Sequence, residues 1–264
     1  MIDFHNHILP NFDDGSKSLE MTINMLREAE KQGITDIVNT THYKHPKMPN
    51  EKINYRNVQA EIEKLQTIIK EQSISIKLHF GTEILFHNDL IKLKDDNLAT
   101  FHNGKYMLIE FLTNFLPENQ RNVLFELKMK GVTPIIAHPE RYLKVQKNIE
   151  IVSDWLEAGC IIQIDAGSLL GKLGREAKVA SQNILNNRWC QIIGSDAHND
   201  KNRNFCLLKA FEYARESIGS EAIKLVLDNP MSVMSGNDIK VNINYDNLNK
   251  KTIFSSIRKK FFKN

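Results

Sequence analysis

The sequence predicts an α/β fold in which a parallel sheet closes into a barrel, and three observations carry that prediction. Short β-branched or apolar runs recur about every 30 residues, each followed by a stretch of helical period. Seven such runs can be counted, at 2–7, 34–41, 74–80, 106–111, 133–138, 160–165 and 190–195. Runs such as TPIIA and CIIQI are apolar at nearly every position, which requires cover on both faces, and a closed parallel sheet ringed by helices supplies it best.

Each element has its own local reason. After the first strand, Leu19, Ile23, Leu26 and Ala29 fall on one helix face, with Ser18 to cap the helix, Lys31 to suit its negative end and Gly33 to stop it. The second and third strands follow, then the fourth, whose helix is bracketed by Pro117 and Gly131. The fifth strand leads to a helix sketched by Ile151, Trp155 and Gly159, and the sixth and seventh complete the series. Residues 1–235 read as one domain; 236–264 read as an Asn-rich linker (Asn237, Asn242, Asn244, Asn247, Asn249) and a basic tail.

Composition narrows the function classes. The 264 residues carry 35 Lys plus Arg against 32 Asp plus Glu, which does not fit a wholly basic nucleic-acid coat, and 41% hydrophobic content does not fit a disordered chain. No run of about 18 uncharged apolar residues suggests a membrane span, and the start has no secretion signal pattern. Three cysteines, Cys160, Cys190 and Cys206, form no C-x-x-C pair and no even set, so a reducing cytoplasm is the expected compartment.

In α/β barrels the loops at the carboxyl ends of the strands converge on the axis, so the residues that follow each strand decide the chemistry. These are His5 and His7, then His42, Glu83, Glu110, His138, and Asp196 with His198. His5 and His7 stand two apart and share one side of a strand. H-x-H alone is weak, and so is one Glu at the end of YMLIEF. Eight such groups in one cup, with almost no Lys among them, would repel or remain unpaired unless cations sat between them. Mixed nitrogen and oxygen donors favour manganese, iron or zinc over calcium. Asp13, in FDDG, reads first as an Asx turn; Asp165 could be an extra ligand but reads first as a group that supports a ligand or fixes a loop. His45, His79, His87 and His102 have no strand-end placement and stay outside the expected site. Arg141, in AHPER, and Arg203, after SDAH, suit an anionic substrate or else a loop-fixing ion pair; Lys172 and Arg175 could extend the same field but read first as a solvated helix start.

Other catalytic schemes fail on spacing. No cysteine has an arginine six places later, since Ala166, Asp196 and Glu212 stand there, so a cysteine phosphatase loop is absent. There is no G-x-x-x-x-G-K-[ST], no G-x-S-x-G and no G-x-G-x-x-G between strand and helix.

With these residues in order, the sequence resembles the polymerase and histidinol phosphatase (PHP) superfamily, and within it the manganese-dependent protein-tyrosine phosphatases of capsule and exopolysaccharide operons, the CpsB, CapC and YwqE type. The matching stretches are MIDFHNHILPNFDDGSKSLE, TTHY at 40–43, FGTEI at 80–84, MLIEF at 107–111, PIIAHPERY at 134–142, IIGSDAHN at 192–199 and DNP at 228–230. They run in the family's order over about 230 residues. Tyr43 and Lys44 depart from it, standing where relatives often have another His or Arg, and 165–175 is variable among relatives.

The resemblance implies a distorted (β/α)7 barrel with its metal site at the C-terminal strand ends. It implies three Mn2+ ions: one on His5, His7, Glu83 and Asp196, one on Glu83, Glu110 and His138, and one on Asp14, His42 and His198. Arg141 and Arg203 would bind phosphate, with His42 or His198 able to relay a proton. The implied partner is the phosphorylated C-terminal tyrosine cluster of a cognate bacterial tyrosine kinase that regulates polysaccharide assembly. Two other readings use the same residues: a small-molecule phosphatase acting on a substrate such as histidinol phosphate, and a non-catalytic module that binds the kinase. The tail, KKTIFSSIRKKFFKN, interleaves six basic residues with Ile and Phe and reads as a frayed terminus, a docking segment or a weak contact with an anionic membrane surface. Oligomeric state is left open by the sequence.

Overall fold

The computed structural model describes residues 1–46, 51–101 and 104–241; His102 and the chain from 242 on, including the basic tail, lie outside the described residues. The elements alternate as expected. In order they are β1 (Ile2–Asp3), α1 (Leu19–Lys31), β2 (Asp36–Asn39), β3 (His42–Tyr43), α2 (Tyr55–Glu71), β4 (Lys77–Phe80), β5 (Glu83–Leu85), β6 (Tyr106–Glu110) and α3 (Gln120–Met129). Then follow β7 (Thr133–Ala137), α4 (Leu143–Lys147), α5 (Glu150–Glu157), β8 (Ile161–Asp165), α6 (Ala166–Leu169), α7 (Arg175–Asn186), β9 (Ile192–Gly194), α8 (Leu207–Ile218) and α9 (Asn229–Ser235). Ser18 caps α1 as expected, its hydroxyl accepting the Met21 amide at 3.1 Å.

Every strand pair is parallel, but the strands form two sheets, β1-β2-β4 and β3-β5-β6-β7-β8-β9, and not one closed ring. The expected runs at 34–41 and 74–80 each break and resume as a second short strand. At the break the backbone bonds sideways: the Thr40 amide donates to Asn6 O at 2.8 Å, and the Glu83 amide reaches Thr40 O at 3.2 Å. The outer edges of the two sheets meet in a single parallel bridge, Asn6 with Ala197, where the His7 amide donates to Ala197 O at 2.8 Å. His42 and Glu83, expected beyond their strands, therefore stand inside β3 and β5 and are directly paired across them.

Side chains alternate between two cores because successive strand residues point to opposite faces. Ile2, Phe4, Val38, Leu108, Ile135, Ile161 and Ile192 fill a small inner cluster with Phe101, Tyr106 and Val233 of α9. Their neighbours, including Ile37, Met107, Ile109, Ile136, Ile162, Ile164 and Ile193, face the helices in the larger outer cluster. Following one face upward, β6 runs Tyr106, Leu108, Glu110 and β8 runs Ile161, Gln163, Asp165. Inner positions thus change from apolar at the base to polar at the carboxyl ends.

Residues 236–241, expected to start the linker, lie against this base. Ile239 and Val241 pack on the inner cluster, Tyr106 Oη donates to Asn237 O, and Lys105 pairs with Asp238 at 2.8 Å. No helix among the described residues is long and apolar enough to cross a membrane.

Candidate metal centre

The carboxyl ends gather all nine expected ligands. His5 Nε2 lies 3.2 Å from Glu83 Oε2 and 3.5 Å from Asp196 Oδ1, and His7 Nε2 lies 3.4 Å from each of the same two oxygens. His138 Nε2 approaches Glu83 Oε1 at 2.9 Å. His42 uses both ring nitrogens, Nδ1 at 3.2 Å from Glu110 Oε1 and Nε2 at 3.4 Å from Asp14 Oδ1; His198 Nε2 lies 3.5 Å from the same Asp14 oxygen.

Donor atoms mutually within 4.8 Å form four overlapping groups: His7, Asp14, His42 and His198; His5, His7 and Asp196; His5, Glu83 and His138; and His42, Glu83 and Glu110. The resemblance grouped the same nine residues somewhat differently. Here Glu110 associates with His42, and His7 faces the Asp14 group as well as Asp196.

Local chain geometry explains how so many polar groups reach one place. His138 (φ 32°) and Asp196 (φ 46°) are both in the left-handed region, a strained setting for non-glycine residues, at the points where β7 and β9 end. Two glycines leave the room required. A Cβ on Gly15 would stand 2.4 Å from His7 Cβ, and one on Gly194 would stand 2.6 Å from His5 Cβ. The loop carrying Asp13 and Asp14 can close on His7 only because position 15 has no side chain.

Outer partners fix the imidazoles. His5 Nδ1 donates to Gln163 Oε1 at 2.7 Å and His7 Nδ1 to Asp13 Oδ2 at 2.7 Å, so each ring turns its Nε2 toward the cup. Asp13 also accepts the Gly15 amide at 2.9 Å and the His42 amide at 3.0 Å. It is therefore the expected Asx turn and the support of His7 at once. Gln163 was not anticipated; a lone amide in the apolar run CIIQI was its signal. His45, left out of the expected site, lies 3.9 Å from Glu110 Oε1. Asp165 accepts the Ser168 amide at 3.0 Å and starts α6, in keeping with a loop-fixing role, and His79 points away to Asp36 at 2.9 Å.

Electrostatics couple the groups tightly. Burial opposes charge on His7, but Asp13 overrides it and holds the imidazole well above its usual range; the same pair, against burial, takes Asp13 down to about 2. Burial likewise opposes charge on His42, while Asp14 and Glu110 push it up to about 10. Glu110 itself is raised, by burial and then by Glu83.

Even so, His5 Nε2, His7 Nε2, His42 Nδ1, Glu110 Oε1 and Asp196 Oδ1 are buried without a hydrogen-bond partner. At about 1–3 kcal/mol each, five such atoms would cost on the order of 5–15 kcal/mol, as much as the whole stability of a domain. Imidazole and carboxylate donors aimed at common points, with the Nδ1 atoms of His5, His7 and His198 already hydrogen-bonded, suit divalent cations of the transition series.

Arg141 and Arg203 converge on the other oxygen of Asp196. Both donate to Oδ2, Arg203 at 2.6 Å, and Arg141 also lies 3.8 Å from Asp165. Their side chains remain 27% and 31% exposed, at the mouth of the cup. The ion pair and a role toward an anion are thus compatible in place. Cys160, Cys190 and Cys206 are buried free thiols with no part in the cup.

The family described as capsular polysaccharide synthesis, CpsB/CapC, matches residues 1–235. This chain belongs to that family. It is 34% identical to the tyrosine-protein phosphatase YwqE of Bacillus subtilis over 232 residues, 87% of this chain and 89% of the relative. It is 30% identical to the tyrosine-protein phosphatase CpsB of Streptococcus pneumoniae over 243 residues, 89% and 98% of the two chains. A crystal structure from work on YwqE and CpsB, described as metal-dependent tyrosine phosphatases, superposes with a TM-score of 0.85 at 30% identity, covering 92% of this chain and 97% of the other. Histidinol phosphate phosphatase of Lactococcus lactis shares the fold alone, with a TM-score of 0.55 at 17% identity over 84% and 93% of the chains.

Proposed function

We propose that this CpsB/CapC member is a metal-dependent protein-tyrosine phosphatase that hydrolyses phosphotyrosine on a bacterial tyrosine kinase controlling capsule or exopolysaccharide synthesis. The observation that carries the reading is the convergence of five unpartnered donor atoms in a buried cup whose mouth holds two arginines.

In this reading His5, His7, Asp14, His42, Glu83, Glu110, His138, Asp196 and His198 hold divalent metal, three Mn2+ ions per chain. Bound, the metal supplies the acidity that makes water a nucleophile near neutral pH and the charge that attracts a phosphoryl group. The chain's own residues do the rest. Gln163 and Asp13 keep the Nδ1 protons of His5 and His7 outside the cup, so both Nε2 atoms stay available. Arg141 and Arg203 give planar donors to the non-bridging phosphate oxygens as charge redistributes. Phenolate, with a free pKa near 10, asks less of a general acid than an alkoxide would, so departure does not require a proton from His42 or His198 while they hold metal.

The same reading takes residues 1–235 as the catalytic unit, a distorted (β/α)7 barrel, supported by the strand order and the Asn6–Ala197 bridge. It places the enzyme in the cytoplasm, with the basic tail as a weak contact to the anionic inner membrane surface, near a membrane-associated kinase. Full-length protein should co-sediment with anionic vesicles in a salt-sensitive way and a chain ending at Asn249 should not; equal binding by both removes this role.

The decisive assay compares a phosphotyrosine peptide with histidinol phosphate. Phosphate release from the peptide, lost with chelator and restored by Mn2+, is expected. Better turnover of histidinol phosphate would assign the small-molecule reading, and no turnover of either would leave a binding module.

A further inference from the structure

Three large apolar side chains stand exposed beside the mouth of the cup: Leu112 (37%), Phe115 (56%) and Leu143 (46%). They come from the two segments that follow β6 and β7, Leu143 being the first residue of α4. Leu112 and Phe115 follow Glu110 at the end of β6, and Leu143 follows Arg141 and Tyr142 beyond β7.

The two segments are tied into one surface. The Leu143 amide donates to Thr113 O at 2.9 Å, Lys144 Nζ donates to Leu116 O at 2.9 Å, and the Phe115 amide closes a turn on Leu112 O at 3.1 Å. Beneath them the Phe111 amide donates to Tyr142 Oη at 2.9 Å, and the Phe111 ring stacks on Trp155 at 5.6 Å. The two segments are therefore held together beside a packed group of Phe111, Tyr142 and Trp155, with Leu143 two residues beyond Arg141.

We propose that Leu112, Phe115 and Leu143 form an apolar shelf that receives the apolar side chains flanking a phosphotyrosine in a peptide. The proposal rests on the phosphotyrosine reading above and adds what lies next to the phosphorylated residue. A phosphotyrosine seated in the cup places its neighbours in the chain over the mouth, where the shelf is. A second copy of this chain or a bilayer seated here would cover the mouth itself. Three side chains are also too little for a stable dimer, which buries on the order of 800 Å² per partner, whereas they suit one or two peptide side chains. A small phosphate monoester gains nothing from them.

The test measures kcat/KM for three substrates: free phosphotyrosine, a phosphotyrosine peptide with Leu and Phe flanks, and the same peptide with Ser and Gly flanks. The apolar-flanked peptide should be preferred over the polar-flanked one by about tenfold or more, the effect of removing one such side chain from water. The triple variant Leu112→Ser, Phe115→Ser, Leu143→Ser should lose that preference, and Phe115→Ser alone should reduce it, while free phosphotyrosine is turned over as before. Equal use of both peptides by the wild type overturns the shelf and leaves the phosphatase reading standing. An equal fall for all three substrates in the variants assigns these residues to support of the site instead. A wild-type dimer that the triple variant makes monomeric, seen by sedimentation velocity, assigns them to self-association. Failure to hydrolyse any phosphotyrosine substrate overturns the phosphatase reading and the shelf with it.

Discussion

The same strands behave in opposite ways at their two ends. At the base, Ile2, Val38, Ile135, Ile161 and Ile192 meet Val233 of α9, and packing alone accounts for their burial. At the carboxyl ends, equally buried His5, His7 and Asp196 leave donor atoms without hydrogen-bond partners. One end is stable as built; the other is complete only with cations. That contrast separates stability from chemistry within a single sheet system, and mutation at either end should separate them too.

The largest effects belong to the cup. His5→Ala or Glu83→Ala should abolish phosphatase activity, by about a thousandfold or more, with loss of bound metal measured by elemental analysis, because a methyl group cannot replace a ligand. Ile161→Ala at the base should instead cost about 2–5 kcal/mol in denaturant unfolding while metal per folded chain stays unchanged. Metal-free protein with full activity would remove the contrast.

Next come the arginines, which face the cup without belonging to its donor groups. Arg141→Ala and Arg203→Ala should each lower kcat/KM by about 10–150-fold, the worth of one charged hydrogen bond at about 1.5–3 kcal/mol, with metal content retained. Loss of metal in both variants would make their pairing with Asp196 purely structural.

Smaller still is the effect of the groups behind the ligands. Gln163→Leu keeps the volume but removes the acceptor for His5 Nδ1, and should weaken metal affinity about 10–100-fold without abolishing activity at saturating metal. Unchanged affinity would mean that packing alone orients His5.

How much of this was legible beforehand depended on range. The alternation of strand and helix was readable because apolar spacing is local, and the cup residues because strand ends have a fixed place in such folds. The breaks at Thr40–Thr41 and Gly81–Thr82 were not, because they depend on Asn6 and on backbone bonds between distant segments. Asp13 showed its turn in the sequence, whereas its support of His7 required the close approach at Gly15. Residues 236–241 looked like a linker because two apolar residues among polar ones give no period; only the base of the core reveals what Ile239 and Val241 cover.

The smallest effect is expected from the thiols, and it tests the comparison from outside. Cys160 lies in the outer core, and burial raises its thiol far above the usual value. Burial also pushes Cys190 and Cys206 up to about 12. A raised thiol pKa means less thiolate, so at pH 8 only on the order of one part in ten thousand of Cys190 or Cys206 is in the reactive form. Both obstacles, burial and protonation, act in the same direction. Treatment of the folded protein with iodoacetamide at pH 8 should leave phosphatase activity largely unchanged, with mass spectrometry showing little modification of the three. Rapid inactivation that phosphate prevents would instead place a reactive sulfur at the substrate site, and the division between a self-sufficient core and a cation-dependent cup would fail.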